Sequence, residues 1–449
     1  MSTESRAPVV VIGGGAIGLC TAFHLRRLGV PVHVVDRGPV GGGSSWGNAG
    51  WVCLSHSAPV PAPGVIWYAA RSIGRPDSPL YLRLQPTPAF LRWLVLFQRS
   101  CARTAFDRGY AAVAEFAQAT FERFAELADA DVVTTLTRPG LVHAYSSMAE
   151  ARRTHGIQRA MAWAGYDVPG EILTGKEVMA LDPALGGKVE AGYLVPGEGV
   201  VNPTAFVASL TDRLRHDGVG VTEHEAVRGF HFRDGRIAAL RTTSGDIECS
   251  SVVVAAGAWS VDLLRWLGVR LPLQAGKGYS FSVDLDPAPE HPLYLGDKHI
   301  AVSPIGGATR IAGTMELSGN NRRLDWRRVV AIAHASRDYL GHWYDNADDL
   351  MALIHDPWVG GRPMMPDGLP VLDRVPGSPN AYVATGHGML GITLAPVTGK
   401  AMADYVVTGR RPAELAAFRA DRFRGLLAHR PGGGVTAAGR APGPASCGP

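Results

Sequence analysis

The stretch Val9-Val10-Val11-Ile12-Gly13-Gly14-Gly15-Ala16-Ile17-Gly18 constrains the fold more than any other part of the chain. Four apolar, mostly β-branched residues predict a buried parallel strand, the glycines a tight turn, and Ala16 to Leu28 a helix. Gly13 permits the turn, Gly15 leaves the backbone open to a pyrophosphate, and Gly18 lets the helix lie close on the strand, so that the helix N-terminus faces the phosphates. Val32 to Asp36 predicts the next parallel strand, with Asp36 placed to accept a hydrogen bond from a ribose hydroxyl. A glycine-rich turn alone says little. Strand, turn, helix, strand and terminal acid in this order predict a dinucleotide site, leaving open which dinucleotide and whether it is substrate or resident group.

A chain of 449 residues exceeds what one hydrophobic core holds, so two domains or two interwoven lobes are expected. The formal net charge of +4 is not gathered into a block of either sign, which argues against nucleic acid as a partner. Cys20, Cys53, Cys101, Cys249 and Cys447 are far apart and show no C-x-x-C spacing. Reduced thiols and no metal site are expected. The polar N-terminus runs straight into the first strand and no long apolar run follows, so a cytoplasmic protein is expected.

After Asp36, the glycine and serine segment 41–50 offers backbone donors that could extend a phosphate cradle; a plain surface loop is the alternative. Pro59, Pro61 and Pro63 predict extended chain outside any central strand. Helical spacing from about Thr87 to Leu127 predicts two amphipathic helices. Within them, Trp93 to Phe97 packs in a core or docks on a membrane surface or partner. Asn202 and Pro203 open a helix. Val219 to Phe232 and Gly235 to Thr243 alternate as strands joined at Asp234-Gly235. Ser251 to Ser260 repeats the opening logic of strand, small-residue turn and helix start. So does the run from Ala381 through Gly386, Gly388 and Gly391 into a helix beginning near Ala395, whose N-terminus offers oriented donors to an electron-accepting ring. The Gly-, Pro- and Ala-rich tail 430–449 is expected to be disordered.

A nicotinamide enzyme usually places its second mononucleotide half directly after the first. Here the glycine turns return only after long insertions, which suggests a cofactor held along its length by remote segments. At these residues the chain resembles the FAD-dependent D-amino acid oxidase superfamily, and within it most the bacterial D-amino acid dehydrogenases (small subunit). The matching pieces are V-V-V-I-G-G-G-A-I-G, S-S-W-G-N-A-G from Ser44, the A-P-x-x-A-P-G pattern from Ala58, V-V-A-A-G-A-W, K-G-Y from Lys277, G-R-P-M-M-P-D-G-L-P and G-H-G-x-L-G-x-T. The resemblance implies an α/β fold, in which a Rossmann-like FAD domain of the glutathione-reductase type is interwoven with an antiparallel-sheet α+β substrate domain. The expected division gives 1–60, part of 140–260 and 355–428 to FAD, 61–139 to a helical cap, and 261–354 to the substrate. Cofactor contacts are implied for Gly13, Gly15, Ala16, Ile17, Gly18, Asp36 and Arg37, then for Ser44, Ser45, Asn48, Ala49 and Gly50. Further contacts are implied for Val227, Ala256, Gly257, Trp259, Gly361, Gly388, Met389, Leu390, Gly391 and Thr393. Relatives that tether their flavin use a cysteine near the final glycine turn; none lies between Cys249 and Cys447, so non-covalent FAD is expected.

The implied chemistry moves a hydride from the α-carbon of an amino acid or amine to the flavin, leaving an imine that hydrolyses to a 2-oxo acid and ammonia. Arg362 maps onto the residue that grips the substrate carboxylate, a task suited to its planar fork. Tyr279 donates to the same carboxylate, covers the site or is a core tyrosine; His387 tunes the ring or touches substrate; His56 reaches the pocket. Trp51 and Met364-Met365 depart from the dehydrogenase pattern toward a bulkier, more apolar pocket. Alternatives are a glycine-, sarcosine- or amine-type oxidase that makes hydrogen peroxide, and a flavin-binding module without turnover. The electron acceptor, a quinone or oxygen, and a peripheral contact with the inner face of the membrane through Trp93 to Phe97 stay open.

Overall fold

β-Branched runs that end in glycine turns build the centre of the cofactor half. The computed structural model describes residues 7–66, 80–82, 87–160, 162–167 and 169–423; the tail expected to be disordered lies outside the described residues. The strand Val9–Ile12 is buried throughout. Val9 and Val11 join one core cluster and Val10 and Ile12 another, because the sheet is covered on both faces. A strand covered twice must be apolar at every position, which is why the sequence shows a run and not an alternation. It lies parallel to Val32–Val35 on one side and to Ser251–Val254 on the other. Ala381–Thr385 and Gly220–Thr222 extend the sheet in parallel, and Val371–Arg374 closes it antiparallel. The turns that follow Val9–Ile12, Ser251–Val254 and Ala381–Thr385 therefore emerge at one edge.

The helix Ala16–Arg27 begins at Gly15 and lies against the last long helix, Ala395–Thr408. Their closest approach is at Gly399, where a Cβ would stand 2.5 Å from the Cys20 carbonyl carbon. Asn202 starts the neighbouring helix Pro203–His216 as expected, its side chain accepting from the amides of Thr204 and Ala205.

The second sheet is larger and mostly antiparallel. It runs from His355–Met364 through Gln274–Val283, Ala308–Leu317, Ile300–Ile305, Leu293–Leu295, Leu141–Tyr145 and Ala191–Val195 to Leu173–Thr174. Its back face, with Tyr279, Phe281, Val302 and Ile311, is buried under Val329 and Ile332 of the helix Trp326–Arg337. A mostly parallel sheet and a larger, mostly antiparallel one thus make up the expected mixed α/β architecture.

Two local expectations need correction. The segment after Thr87 forms three helices, Pro88–Ser100, Arg103–Ala117 and Thr120–Ala128, because the chain turns at Ala102 and again at Ala119. Trp93 is buried and donates from Nε1 to the Met364 carbonyl at 3.1 Å, so this residue packs in a core, whereas Leu91 and Val95 are exposed. The run Val219 to Phe232 splits between two sheets: Gly220–Thr222 joins the parallel one, and Val227–Arg233 pairs with Arg236–Thr242. The Asp234-Gly235 hairpin turn has the positive φ values, 51° and 72°, that its sequence predicts. Among the described residues no helix is long and apolar enough to cross a membrane.

The helix contact at Gly399 gives a direct test. Gly399→Leu has no space to fill, and we expect it to lower stability by about 3 kcal/mol or more, read as a shift in the denaturant midpoint. A midpoint unchanged from the parent chain would mean that the two helices are not held at this distance.

Candidate functional site

A cavity of about 710 Å³ opens where the glycine turns meet the front face of the antiparallel sheet. Gly13 has φ +113°, and a Cβ there would stand 2.5 Å from the Ala255 carbonyl oxygen, so the first turn is seated against the second. Gly15 differs. A Cβ on it would meet only Ser45 Oγ, at 3.4 Å, and would project into the cavity. The space in front of a helix N-terminus is therefore kept clear, and a dinucleotide pyrophosphate fits it. Ser45 Oγ accepts from the Ala16 amide at 3.2 Å. Asp36 lines the cavity and also ties the turn together, accepting from Gly14 N at 2.7 Å and from Gly38 N at 2.9 Å.

Most residues expected to touch the cofactor line this one cavity: Gly13, Gly15, Ala16, Ile17, Asp36, Arg37, Ser44, Ser45, Asn48, Ala49, Val227, Ala256, Gly257, Trp259, Gly388, Met389, Leu390, Gly391 and Thr393. Three do not, and each acts from behind the wall. At Gly18 a Cβ would stand 1.9 Å from the Gly13 carbonyl oxygen, so this glycine sets the helix on the turn. At Gly50, φ is +75° and a Cβ would stand 2.1 Å from the Val201 carbonyl oxygen. Gly361 presents its carbonyl to Ser44 Oγ at 2.6 Å. The segment 41–50 is not a free surface loop. Besides Ser44, it is held by Ser280 Oγ donating to Gly47 O at 2.8 Å and by Arg310 Nη1 donating to Asn48 O at 3.2 Å.

Arg362 sits on His355–Met364, opposite Gly276 of Gln274–Val283. Its guanidinium covers the next glycine on that face, where a Cβ at Gly278 would stand 2.3 Å from Cζ. Nη1 donates to the Thr314 carbonyl at 2.8 Å. That carbonyl is aimed by an irregularity: Lys277 pairs with Glu316 and Tyr279 with Gly313, leaving Thr314 and Met315 opposite Gly278 alone, and Thr314 takes φ +62°. No carboxylate pairs with Arg362 among the described residues. Burial lowers its pKa to about 10, which still leaves a full positive charge at neutral pH. A largely desolvated cation beside a cavity, balanced by one backbone carbonyl, has the chemistry to hold an anion.

The other three candidates fall out differently. Tyr279 is on the back face, because side chains alternate along Gln274–Val283. Tyr279 is nonetheless among the residues that line the cavity, while its hydroxyl is engaged on the back face, donating to Glu316 Oε2 at 2.7 Å within a buried group that includes Lys277. His387 lines the cavity, but its Nε2 is 3.0 Å from Thr398 Oγ1, which fastens the glycine turn to the last helix; burial lowers its pKa to about 3, so the ring is neutral. His56 does reach the cavity, with its ring 5.3 Å from that of Trp51 and 5.1 Å from that of Tyr294, and burial lowers its pKa to about 4.

Sequence reasoning missed two further residues. Arg322 comes from the loop between Ala308–Leu317 and the helix Trp326–Arg337, donates to the Gly42 carbonyl and stands with Arg37 over the Trp259 ring at the cavity wall. Glu198 lies behind the cavity, buried, and accepts from the amides of Leu54 and Ser55 at 2.8 Å each, fixing the turn Leu54–His56. An acid between two glycines reads as a solvated turn, and no local pattern marks it otherwise.

Burial raises the Glu198 pKa to about 7, against the opposing effect of its two amide donors. The folded chain therefore binds more protons than the unfolded one between the ordinary carboxylate range and about pH 7, and stability from this group falls as pH rises through that window. We expect wild type to lose stability relative to Glu198→Gln between pH 5 and 7, measured as the difference between their denaturant midpoints. A difference that is flat with pH would show that Glu198 is ionised throughout.

Residues 8–405 match the family model described as FAD dependent oxidoreductase (DAO). The chain is 31% identical over 426 residues to a D-amino acid dehydrogenase of Rhizorhabdus wittichii, covering 92% of this chain and 100% of that one. It is 31% identical over 431 residues to a D-amino acid dehydrogenase of Paramagnetospirillum magneticum, covering 93% and 99%. Among solved structures, glycine oxidase from Bacillus cereus superposes with a TM-score of 0.69 at 20% identity, covering 93% of this chain and 99% of that one. Cradle, charge and kinship agree: the chain belongs to the FAD dependent oxidoreductase family and is an FAD-dependent amino acid oxidoreductase.

Proposed function

We propose that the chain is a D-amino acid dehydrogenase, oxidising the CH–NH bond of its substrate to an imine that water converts to a 2-oxo acid and ammonia. The observation that carries this reading is Arg362, a guanidinium on the cavity wall with no acidic partner among the described residues. A substrate carboxylate completes its coordination, and the bound Thr314 carbonyl leaves the rest of the fork to face that carboxylate. The relatives at about 30% identity that bear this name support the substrate class and its stereochemistry. FAD, when bound, supplies the two-electron acceptor. The protein's own contribution is position: the fork is held by strand pairing on Gly278, and the cavity wall fixes the α-carbon relative to the glycine turns.

The flavin is held without a covalent bond. Cys53 is the cysteine that lines the cavity, and burial beside Glu198 raises its thiol pKa well above the ordinary value, so it stays protonated and is a poor nucleophile.

Two variants separate substrate from cofactor. Arg362→Ala is expected to keep FAD and lose kcat/KM on D-amino acids by roughly 30-fold to several thousand-fold, since about 2–5 kcal/mol is at stake when one partner of a buried charge pair is removed; kinetics equal to wild type would remove Arg362 from the site. Gly15→Val is expected to fold, because the new side chain enters open cavity, but to purify without FAD. Normal flavin content in that variant would contradict the pyrophosphate cradle. Anaerobic reduction by D- and not L-amino acids, with slow peroxide formation in air, is the direct test of the dehydrogenase reading.

A further inference from the structure

We propose that the substrate's side chain is an aromatic ring, seated against Trp51, His56 and Tyr294 at the end of the cavity away from Arg362. The proposal rests on the reading of Arg362 as the carboxylate site.

The front face of the antiparallel sheet carries the argument. Ser280 pairs with Ala312, Ala312 with Ala301, Ala301 with Tyr294, and Tyr294 with His143. Residues directly opposite one another point to the same face. Ser280 marks that face as the cavity side, because its hydroxyl reaches Gly47 on the cavity wall. Arg362 lies over Gly278, two residues from Ser280 on the same strand. Moving across the sheet from there, the floor is first made of methyl groups, Ala312 and Ala301, and then rises into rings. Three strand spacings, about 14 Å, separate the strand of Gly278, beneath the Arg362 guanidinium, from that of Tyr294. A carboxylate on Arg362 thus directs a side chain over the two alanines and toward the ring wall. The distance is more than an alanine side chain spans and leaves room for a ring.

The wall is built before substrate arrives. Trp51 and Tyr294 meet edge to face at 5.9 Å, His56 stands against both, and His143 stacks behind His56 at 5.4 Å. Trp51 Nε1 donates to Ser303 Oγ at 2.9 Å, Thr393 Oγ1 donates to the Trp51 carbonyl at 3.0 Å, and Glu198 fixes the turn that carries His56. Side chains locked in this way cost little to order around a ligand. The wall offers ring faces and edges, and burial lowers the pKa values of its imidazoles, His56, His143 behind it and His299 hydrogen-bonded to Tyr294, below the ordinary range. Neutral imidazoles are no counter-ions for a charged side chain, whereas a ring finds edge-to-face partners.

The holoenzyme is tested by anaerobic flavin reduction with D-phenylalanine, D-leucine, D-glutamate and D-alanine. We expect kcat/KM for D-phenylalanine to exceed that of each of the other three by about tenfold or more. Ala301→Val and Ala301→Leu raise the floor, and the ratio of D-phenylalanine to D-alanine efficiency is expected to fall by about tenfold in the larger variant, with bound FAD reporting that both fold. A binding arm uses phenylacetate, which has the ring and carboxylate but no amine, read by its perturbation of the flavin spectrum. Its affinity is expected to fall about tenfold in Ala301→Leu relative to that of acetate. Equal efficiency on D-leucine and D-phenylalanine, preference for D-glutamate, or a phenylacetate affinity untouched by Ala301→Leu would overturn the ring pocket and leave Arg362 in its role. Failure of all four amino acids to reduce the flavin, with phenylacetate binding indifferent to Arg362→Ala, would instead overturn the amino acid reading beneath it.

Discussion

Everything in this molecule hangs on the parallel pairing of Val9–Ile12 with Val32–Val35 and Ser251–Val254. Register in a sheet buried on both faces is stringent, since a slip by one residue exchanges the two core clusters. With the register set, Gly13 meets the Ala255 carbonyl and the turn before Ala258 stands beside the turn before Ala16. Thr385 Oγ1 then donates to the Gly257 carbonyl at 2.8 Å, which draws in the third turn. The phosphate cradle is thus a product of strand order, and no single motif makes it.

The second constraint is electrostatic. Arg362 is placed by two glycines, Gly276 opposite it and Gly278 beneath its guanidinium. Glycine in a strand interior is costly in entropy, and here it gives a cation a flat surface to lie on. The protein then leaves the charge without an acid. Elsewhere it does the opposite: Lys277, one residue before Gly278, is buried with Glu316. Two neighbouring strands therefore carry a neutralised cation, Lys277, on the back face of the sheet and Arg362, with no acidic partner among the described residues, on its front, and the alternation of side chains keeps the two apart.

That alternation also explains what was legible in the sequence. The glycine turns and the run at residues 9–18 could be read because their signals are local and tied to backbone conformation. Arg362 came from a motif and lines the cavity. Where the Tyr279 hydroxyl goes could not be read, because its motif neighbours Lys277 and Gly278 do not show that Glu316 receives it on the back face. The split of Val219 to Phe232 between two sheets was invisible for a similar reason: alternation continues across the break while the partner changes. Glu198, Arg322 and the Thr314 bulge were illegible because each depends on a contact with a segment more than a hundred residues away, or on a two-for-one pairing that composition does not encode.

Sheet order has one more consequence, in the time domain. The strand made first, Val9–Ile12, has a partner from the middle of the chain, which in turn pairs with Ala381–Thr385; the helix Ala16–Arg27 is covered by Ala395–Thr408, near the end. A nascent chain therefore carries an apolar, unpaired edge on Val9–Ile12 until Ser251–Val254 has emerged, and that strand in turn leaves its own outer edge open until Ala381–Thr385 follows. Such late closure makes the newly made protein depend on whatever shields it at the ribosome, and places its greatest risk of aggregation before it has ever held a flavin.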